Sequence, residues 1–286
     1  MVEDAGREPE PVRAAQASSV RERRERIREQ VTTAGFTRIE ALAEEHQVSQ
    51  MTIHRDLDAL ERQGWLRRIR GGATAVPSDL YHGDVRHRMH AMVSAKAQIA
   101  EAAANLVQPG MSMFLDDSTT ALQLAPRLPA RGPLTVVTNF LAAVNQLAGQ
   151  PDIDLIALGG TYYAAYDAFL GPQTVESIRP LHADLLFMST TAVTEGSCYH
   201  QSQDTVVVKR ALMESAARTV LLIDHSKFAK RGLHRLAALT DFDLVVVDAG
   251  ADQGLVRQLR GDGVQLLVAG RDDPAVEAAR LGAAAG

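Results

Sequence analysis

Two rhythms of hydrophobic spacing divide the chain. Up to about residue 73, apolar positions recur at helical intervals in short segments; past about residue 94 they gather in compact runs separated by helix-length stretches. Residues 21–31 are rich in Arg and Glu, with Ile27 and Val31 as the main apolar positions, a pattern that favours helix. Gly35 marks a turn. Thr37 or Arg38 then opens a second helix carrying Ile39, Leu42 and Ala43 and ending near His46. Ser49 is a good N-cap for a third helix, because its hydroxyl can satisfy a free backbone donor there. This helix carries Ile53, Leu57 and Leu60 at i, i+4 and i+7 and stops at Gly64. Residues 65–72, Trp-Leu-Arg-Arg-Ile-Arg-Gly-Gly, read as a short strand pair with a tight turn.

The later runs supply seven strand candidates: 111–115, 134–137, 153–158, 185–188, 220–223, 244–247 and 264–268. A helix over 94–107, with Ile99, Ala103 and Leu106 on one face and Lys96 near its start, comes before them. Strands alternating with helical stretches imply a largely parallel sheet covered by helices on both faces. The expected fold class is α/β, with an N-terminal winged helix-turn-helix and a C-terminal, mainly parallel, Rossmann-like domain. The expected divisions are a disordered tail over 1–19, the head over 20–73, a linker over 74–93 and the α/β domain over 94–286.

Composition excludes several classes. A chain of 286 residues, 46% hydrophobic and 23% charged, has the balance of an ordinary globular protein and room for two domains. Its apolar runs are too short to cross a bilayer, and residues 1–19 carry acids and prolines where a signal peptide would be apolar. The single cysteine, Cys198, allows no intrachain disulfide, which fits a cytoplasmic setting. With no activating partner in sequence, Cys198 reads as structural. His82, His87 and His90 have no cysteine or carboxylate at ligand spacing, so a solvated linker helix is expected there, with no metal and no cofactor.

The net charge of −5 argues against a generic nucleic-acid binder, but its distribution is uneven. Residues 20–72 hold eleven Arg against nine acids, a balance of +2, whereas residues 73–286 hold seventeen basic against twenty-two acidic side chains, a balance of −5. Arg67, Arg68 and Arg70 form a stretch without an acid. With Ile53 buried, the third helix exposes Gln50, Met51, Thr52, His54 and Arg55 in its first two turns, beside the Ser49 cap. Such a mixture suits base edges and phosphates, with Arg55 the leading contact, and the three wing arginines suit the DNA backbone. Asp56 and Glu61 are expected to cap and form salt bridges within the head.

Residues 48–73, VSQMTIHRDLDALERQGWLRRIRGGA, closely resemble the signature of DeoR-family transcriptional regulators: V-S-x-x-T-I-R-R-D-L, then L-E, then a basic segment ending G-G-A. His54 departs from the pattern, which usually has arginine there. An imidazole lacks the two-pronged donor that arginine offers to guanine or phosphate.

Polar residues in the second part collect just after the expected strands, where open parallel sheets bind ligands. They are Asp116-Asp117-Ser118-Thr119-Thr120, Thr138-Asn139, Leu158-Gly159-Gly160 and Asp224-His225-Ser226-Lys227. Hydroxyls and free amides at the start of a helix form an anion site, although Ser-Thr-Thr after a strand also serves as an ordinary helix cap. The order of these segments, with Lys96, Ile99-Ala100, Phe169-Leu170-Gly171 and Lys209-Arg210, resembles the DeoR-family sensor domain over residues up to about 250. Ser118 stands where that family commonly has glycine. The resemblance implies a fold similar to sugar-phosphate isomerases such as ribose-5-phosphate isomerase, and a phosphorylated sugar or related metabolite as effector. It implies that Ser118, Thr119 and Thr120 hold the phosphate, and that Asp116, Asn139, Asp204, Lys209 and Lys227 contact the sugar. It implies as well that Gly160 and Gly171 belong to the same site, with His200, Gln201 and Gln203 tuning its preference.

These readings point to a repressor of carbohydrate genes that binds double-stranded operator DNA as a homodimer or homotetramer, without a membrane. An isomerase, using a carboxylate to move a proton between adjacent carbons, is the alternative from another class. A recognition helix and wing have no use in such an enzyme. A sequence-independent DNA-packaging role is disfavoured by the acidic whole.

Overall fold

The computed structural model describes residues 20, 22–24, 26–28, 30–31, 34–62, 66–75 and 85–270. The tail at 1–19, the helix stop at Gly64, His82 and the C-terminal sixteen residues from 271 lie outside the described residues. The chain forms two compact units that divide between Tyr81 and His82.

In the first unit, Ile27 and Val31 come from helical residues and pack with Leu42, Ile53, Leu57, Leu60 and Leu66 in one small core. Of the two residues expected to open the second helix, Arg38 is the N-cap of the helix Ile39–Glu45, and both Thr37 and Arg38 also belong to strand β1 (Phe36–Arg38). Strands β2 (Leu66–Ile69) and β3 (Gly72–Ala75) pair antiparallel as the wing, and β1 pairs with β3. The Gly-Gly pair has a steric reason. A Cβ on Gly72 would lie 2.4 Å from the Thr37 carbonyl oxygen of β1, so only glycine lets the strands close. The third helix is Gln50–Arg62, and Ser49 caps it as expected, its Oγ accepting from Thr52 N at 3.2 Å.

In the second unit, the seven strand candidates become the seven strands of one all-parallel sheet. They are β4 (Ser112–Leu115), β5 (Leu134–Thr138), β6 (Ile153–Ala157), β9 (Ala183–Met188), β12 (Ala216–Ile223), β14 (Leu244–Val247) and β15 (Leu266–Val268). Their order is β15-β14-β12-β9-β4-β5-β6. Central strands are buried on both sides, which is why they read as continuous apolar runs. Met113 and Leu115 of β4 join the core with the helix Val93–Ala104, while Phe114 joins the core with the helix Gln203–Glu214.

Five shorter strands had no expectation. β7 (Thr161–Tyr163) and β8 (Ala168–Leu170) form a hairpin; β10 (Ala192–Thr194), β11 (Ser197–His200) and β13 (His234–Ala238) form a small antiparallel sheet. Among the described residues no helix is long and apolar enough to cross a membrane.

The sheet order sets the place of a ligand. From β4 the chain steps outward through β5 to β6, then returns to β9 on the other side of β4 and continues outward to β15. The order therefore reverses between β4 and β9, and the crevice at the carboxyl ends of those two strands is where such sheets bind ligands.

Candidate functional site

In the first unit, the helix Gln50–Arg62 presents Gln50, Met51 and Arg55 to solvent, with Thr52 and His54 half-buried and Ser49 exposed. Met51, at 62% exposure, is an apolar side chain with no structural reason to be outside. Arg67 and Arg70 are exposed on the wing. Arg68 is otherwise employed: it pairs with Asp58, and its Nη2 lies 2.7 Å from His54 Nδ1, so it braces the wing against the helix. Its backbone N–H donates to Glu61 Oε1 at 2.7 Å. The buried Asp56 accepts from Arg23 Nε and Arg24 Nε, each at 2.7 Å, and fastens the preceding helical residues to the third helix. Asp56 and Glu61 thus have the internal roles expected of them.

In the second unit, Asp116 follows the last residue of β4 and is completely buried. Its N–H donates to the Phe187 carbonyl of β9 at 3.1 Å, which continues the ladder across the crevice. Its carboxylate accepts from Ser118 N at 3.0 Å, from Ser189 N at 2.9 Å, and from Lys209. Lys209 also lies 2.9 Å from Asp117 Oδ1. Burial pushes Asp116 above the usual carboxylate range, against the pull of Lys209. Burial acts the same way on Asp117, but Lys209, His200 and Arg88 outweigh it and hold that carboxyl low. Burial opposes the charge on Lys209, yet the two carboxylates prevail and raise its pKa.

Residues 118–120 are all buried, and the segment after them, Ala121–Arg127, is a 3-10 helix. Ser118 Oγ accepts from Ala121 N at 3.0 Å, the ordinary capping role. Thr119 differs: its Oγ1 accepts from Lys96 Nζ at 3.0 Å and donates to the Arg88 carbonyl at 3.3 Å. Burial, with Lys227, Arg88 and Lys230 adding repulsion against the partial relief of Asp224, lowers Lys96 to about 7. Lys227 lies 3.4 Å from Asp224 just after β12. Positive charge therefore gathers around Lys96, which meets Thr119, whereas carboxylates line the floor between β4 and β9.

His200 is buried, and burial followed by Lys209 lowers it to about 3. Its Nδ1 accepts from Ser202 N at 3.1 Å, which leaves the proton of the neutral ring on Nε2. The Tyr166 ring stands 5.8 Å from His200, with Arg88 5.9 Å over its face.

Not every expected residue joins this centre. Asn139 donates to the Phe169 carbonyl of β8 at 3.0 Å, and its buried Oδ1 has no partner among the described residues. Gly160 has φ +147, and a Cβ there would lie 2.1 Å from Thr174 Oγ1, so it serves the hairpin's packing. Gly171, the N-cap of the helix Pro172–Ile178, serves the same region. Asp204 is exposed and accepts from Tyr163 OH at 3.1 Å; Gln203 is exposed, and Gln201 donates to the Arg231 carbonyl at 2.8 Å. Cys198 lies in the core, its thiol pushed up to about 12 by burial.

Sequence reasoning missed Arg88, Tyr166 and Ser189-Thr190-Thr191. The last was within reach, because Ser189–Thr191 follows β9 as Ser118–Thr120 follows β4. Thr190 and Thr191 both donate to the Tyr199 carbonyl, at 2.7 and 2.9 Å.

A winged helix-turn-helix followed by a parallel α/β unit with a polar crevice at its strand reversal defines a ligand-sensing transcriptional regulator. The model of the DeoR-like helix-turn-helix domain matches residues 23–79, and that of the DeoR C terminal sensor domain matches residues 91–249. The chain belongs to the DeoR family of transcriptional regulators. It is 32% identical to the L-fucose operon activator of Haemophilus influenzae, over 82% of this chain and 94% of that one. It is 31% identical to the glycerol-3-phosphate regulon repressor of the same organism, over 86% of this chain and 96% of the relative. Among solved structures it is similar to ribose 5-phosphate isomerase A from Methanocaldococcus jannaschii, with a TM-score of 0.34 and 21% identity over 48% of this chain and 54% of that one.

Proposed function

We propose that this chain is a cytoplasmic repressor of carbohydrate genes whose affinity for double-stranded operator DNA is set by a phosphorylated sugar. The observation that carries the effector reading is the Lys96–Thr119 contact at 3.0 Å, with Lys227, Lys230 and Arg88 near enough to depress Lys96. A site that burdens its own lysine with neighbouring cations is complementary to a multiply charged anion. The sugar hydroxyls would face Asp116, Asp117, Lys209 and His200, which offer both acceptors and donors. The names of the relatives, a fucose operon activator and a glycerol-3-phosphate regulon repressor, support small carbohydrate-derived effectors.

On the DNA side, Gln50, Thr52, His54 and Arg55 read the major groove, while Arg67 and Arg70 follow the backbone. Two half-sites require two heads, so the working form is a homodimer or homotetramer. The head runs over 20–73 and the sensor over 94–286, joined by the segment between them. Binding without turnover is the reading we favour, and the three donors that hold the Asp116 carboxylate in place support it.

Calorimetry with a panel of sugar phosphates and the matching free sugars tests the reading, alongside operator binding. At least one phosphorylated sugar should bind far more tightly than its free sugar and shift operator affinity. Equal affinity for both forms, or steady conversion of aldose to ketose phosphate, would overturn it.

A further inference from the structure

The helix Val85–His90 is the first described element of the second unit, following the segment that leads from the head. Arg88 lies in its last turn, where a carbonyl is open to side-chain donors. Side chains from the sensor fill that place. The Lys96 ammonium and the Thr119 hydroxyl both donate to the Arg88 carbonyl, the second at 3.3 Å. Lys96 donates to Thr119 Oγ1 as well, at 3.0 Å.

The proton count decides what an anion can do here. An ammonium has three N–H bonds, so Lys96 can serve Arg88, Thr119 and an anion at once. A hydroxyl has one, and Thr119 commits it to Arg88. An anion seated at Thr119 can take that proton only from the Arg88 carbonyl. The opposite end of the helix is held separately, by Val85 N donating to the Ala165 carbonyl at 2.7 Å. Just beyond the helix, Met92 has φ +55, a left-handed conformation that side chains seldom adopt, and joins it to the helix Val93–Ala104. Loss of a hydrogen bond at Arg88 therefore acts beside a joint, with the start of the helix still anchored.

We propose that the Thr119 hydroxyl is a two-position latch, bonded to the Arg88 carbonyl when the site is empty and to the effector's anion when it is full. The latch loosens the helix Val85–His90 on binding and carries occupancy toward the segment that bears the DNA-binding unit. It rests on the reading of residues 118–120 as the effector's anion site.

Amide hydrogen exchange over residues 85–92 of the full chain tests it, with saturating inorganic phosphate as the probe and calorimetry to report binding. In the native chain, phosphate should speed exchange there by about fivefold, the factor that one ordinary hydrogen bond is worth. Thr119→Val should exchange at the faster rate without phosphate and gain nothing from it. Thr119→Ser, which keeps the hydroxyl, should behave as the native chain. Phosphate that binds while exchange over 85–92 stays constant or slows overturns the latch. So does Thr119→Val matching the native rate without phosphate. If phosphate fails to bind the native chain, the anion-site reading falls and the latch's second position with it, while the two empty proteins still decide whether the Thr119 hydroxyl restrains the helix Val85–His90.

Discussion

Lys209 stands between Asp116 and Asp117, 2.9 Å from Asp117 Oδ1, and all three side chains are buried. The lysine comes from the buried face of the helix Gln203–Glu214 and lies 93 residues from Asp116 in sequence. One ammonium thus holds two carboxylates at the carboxyl end of β4, and the site is built by long-range charge pairing.

Lys209→Met should be severely destabilising. It removes the ammonium that pairs with two buried acids, and breaking such an arrangement costs about 3–5 kcal/mol. Urea denaturation at pH 7 measures the loss. Acidification, which neutralises the stranded carboxyls, should narrow the gap between variant and native chain. A gap that is constant with pH would show that packing, not charge, was lost.

Lys96 gives the effector site a pH dependence. With its pKa lowered to about 7, the empty site loses the Lys96 proton as pH rises through that value. A bound anion favours the charged form, so anion affinity is greatest below about 7 and falls above it. A phosphate monoester opposes this trend on the acid side, since its second proton returns near pH 6. The affinity of a phosphorylated sugar should therefore peak between about 6 and 7. Calorimetry from pH 5.5 to 8.5 should show proton uptake on the alkaline side, and Lys96→Met should abolish that uptake together with most of the affinity.

Asp56 is the fastening of the head. Asp56→Ala leaves Arg23 and Arg24 without their carboxylate, but both are partly exposed and can turn to water. The loss should therefore be about 1.5–3 kcal/mol, the value of a hydrogen bond to a charged group, and not the larger cost of a stranded buried charge. Hydrogen exchange over residues 50–62 should quicken while exchange over β4 and β9 is unchanged.

The seven parallel strands were legible because burial on both faces writes them as unbroken apolar runs, such as Val-Leu-Leu-Ile in β12. The five short strands were not, because three to five residues give too little period to read. Only β10–β11 carried a usable signal: Glu195 and Gly196 both have positive φ, the two-residue turn that Glu-Gly hints at. At the site, Asp116 and Thr119 were visible from their place after a strand. Arg88 was not, since nothing in Val-Arg-His-Arg-Met-His separates an arginine whose carbonyl closes a distant loop from its neighbours. Arg68 shows the same limit in reverse. Three arginines in a row of basic residues look equivalent, and only the fold shows that one of them is turned back on Asp58 and His54.

That difference among the wing arginines is testable. Arg67 is exposed and should meet a DNA phosphate, so Arg67→Ala should weaken operator and random DNA alike and lower the slope of log affinity against log salt by about 1. Arg68→Ala removes no phosphate contact by this reading, but it removes the contacts to Asp58 and His54 and loosens the wing from the helix. Its DNA affinity should fall with an unchanged salt slope. The partly exposed ion pair itself contributes only about 0–1 kcal/mol to stability. Arg55→Ala should behave as neither: a loss of about 1–3 kcal/mol on operator DNA, with random DNA nearly unaffected. Titrations at several salt concentrations on both DNAs separate the three. If Arg68→Ala lowers the salt slope as Arg67→Ala does, the brace opens on binding and Arg68 joins the phosphate contacts.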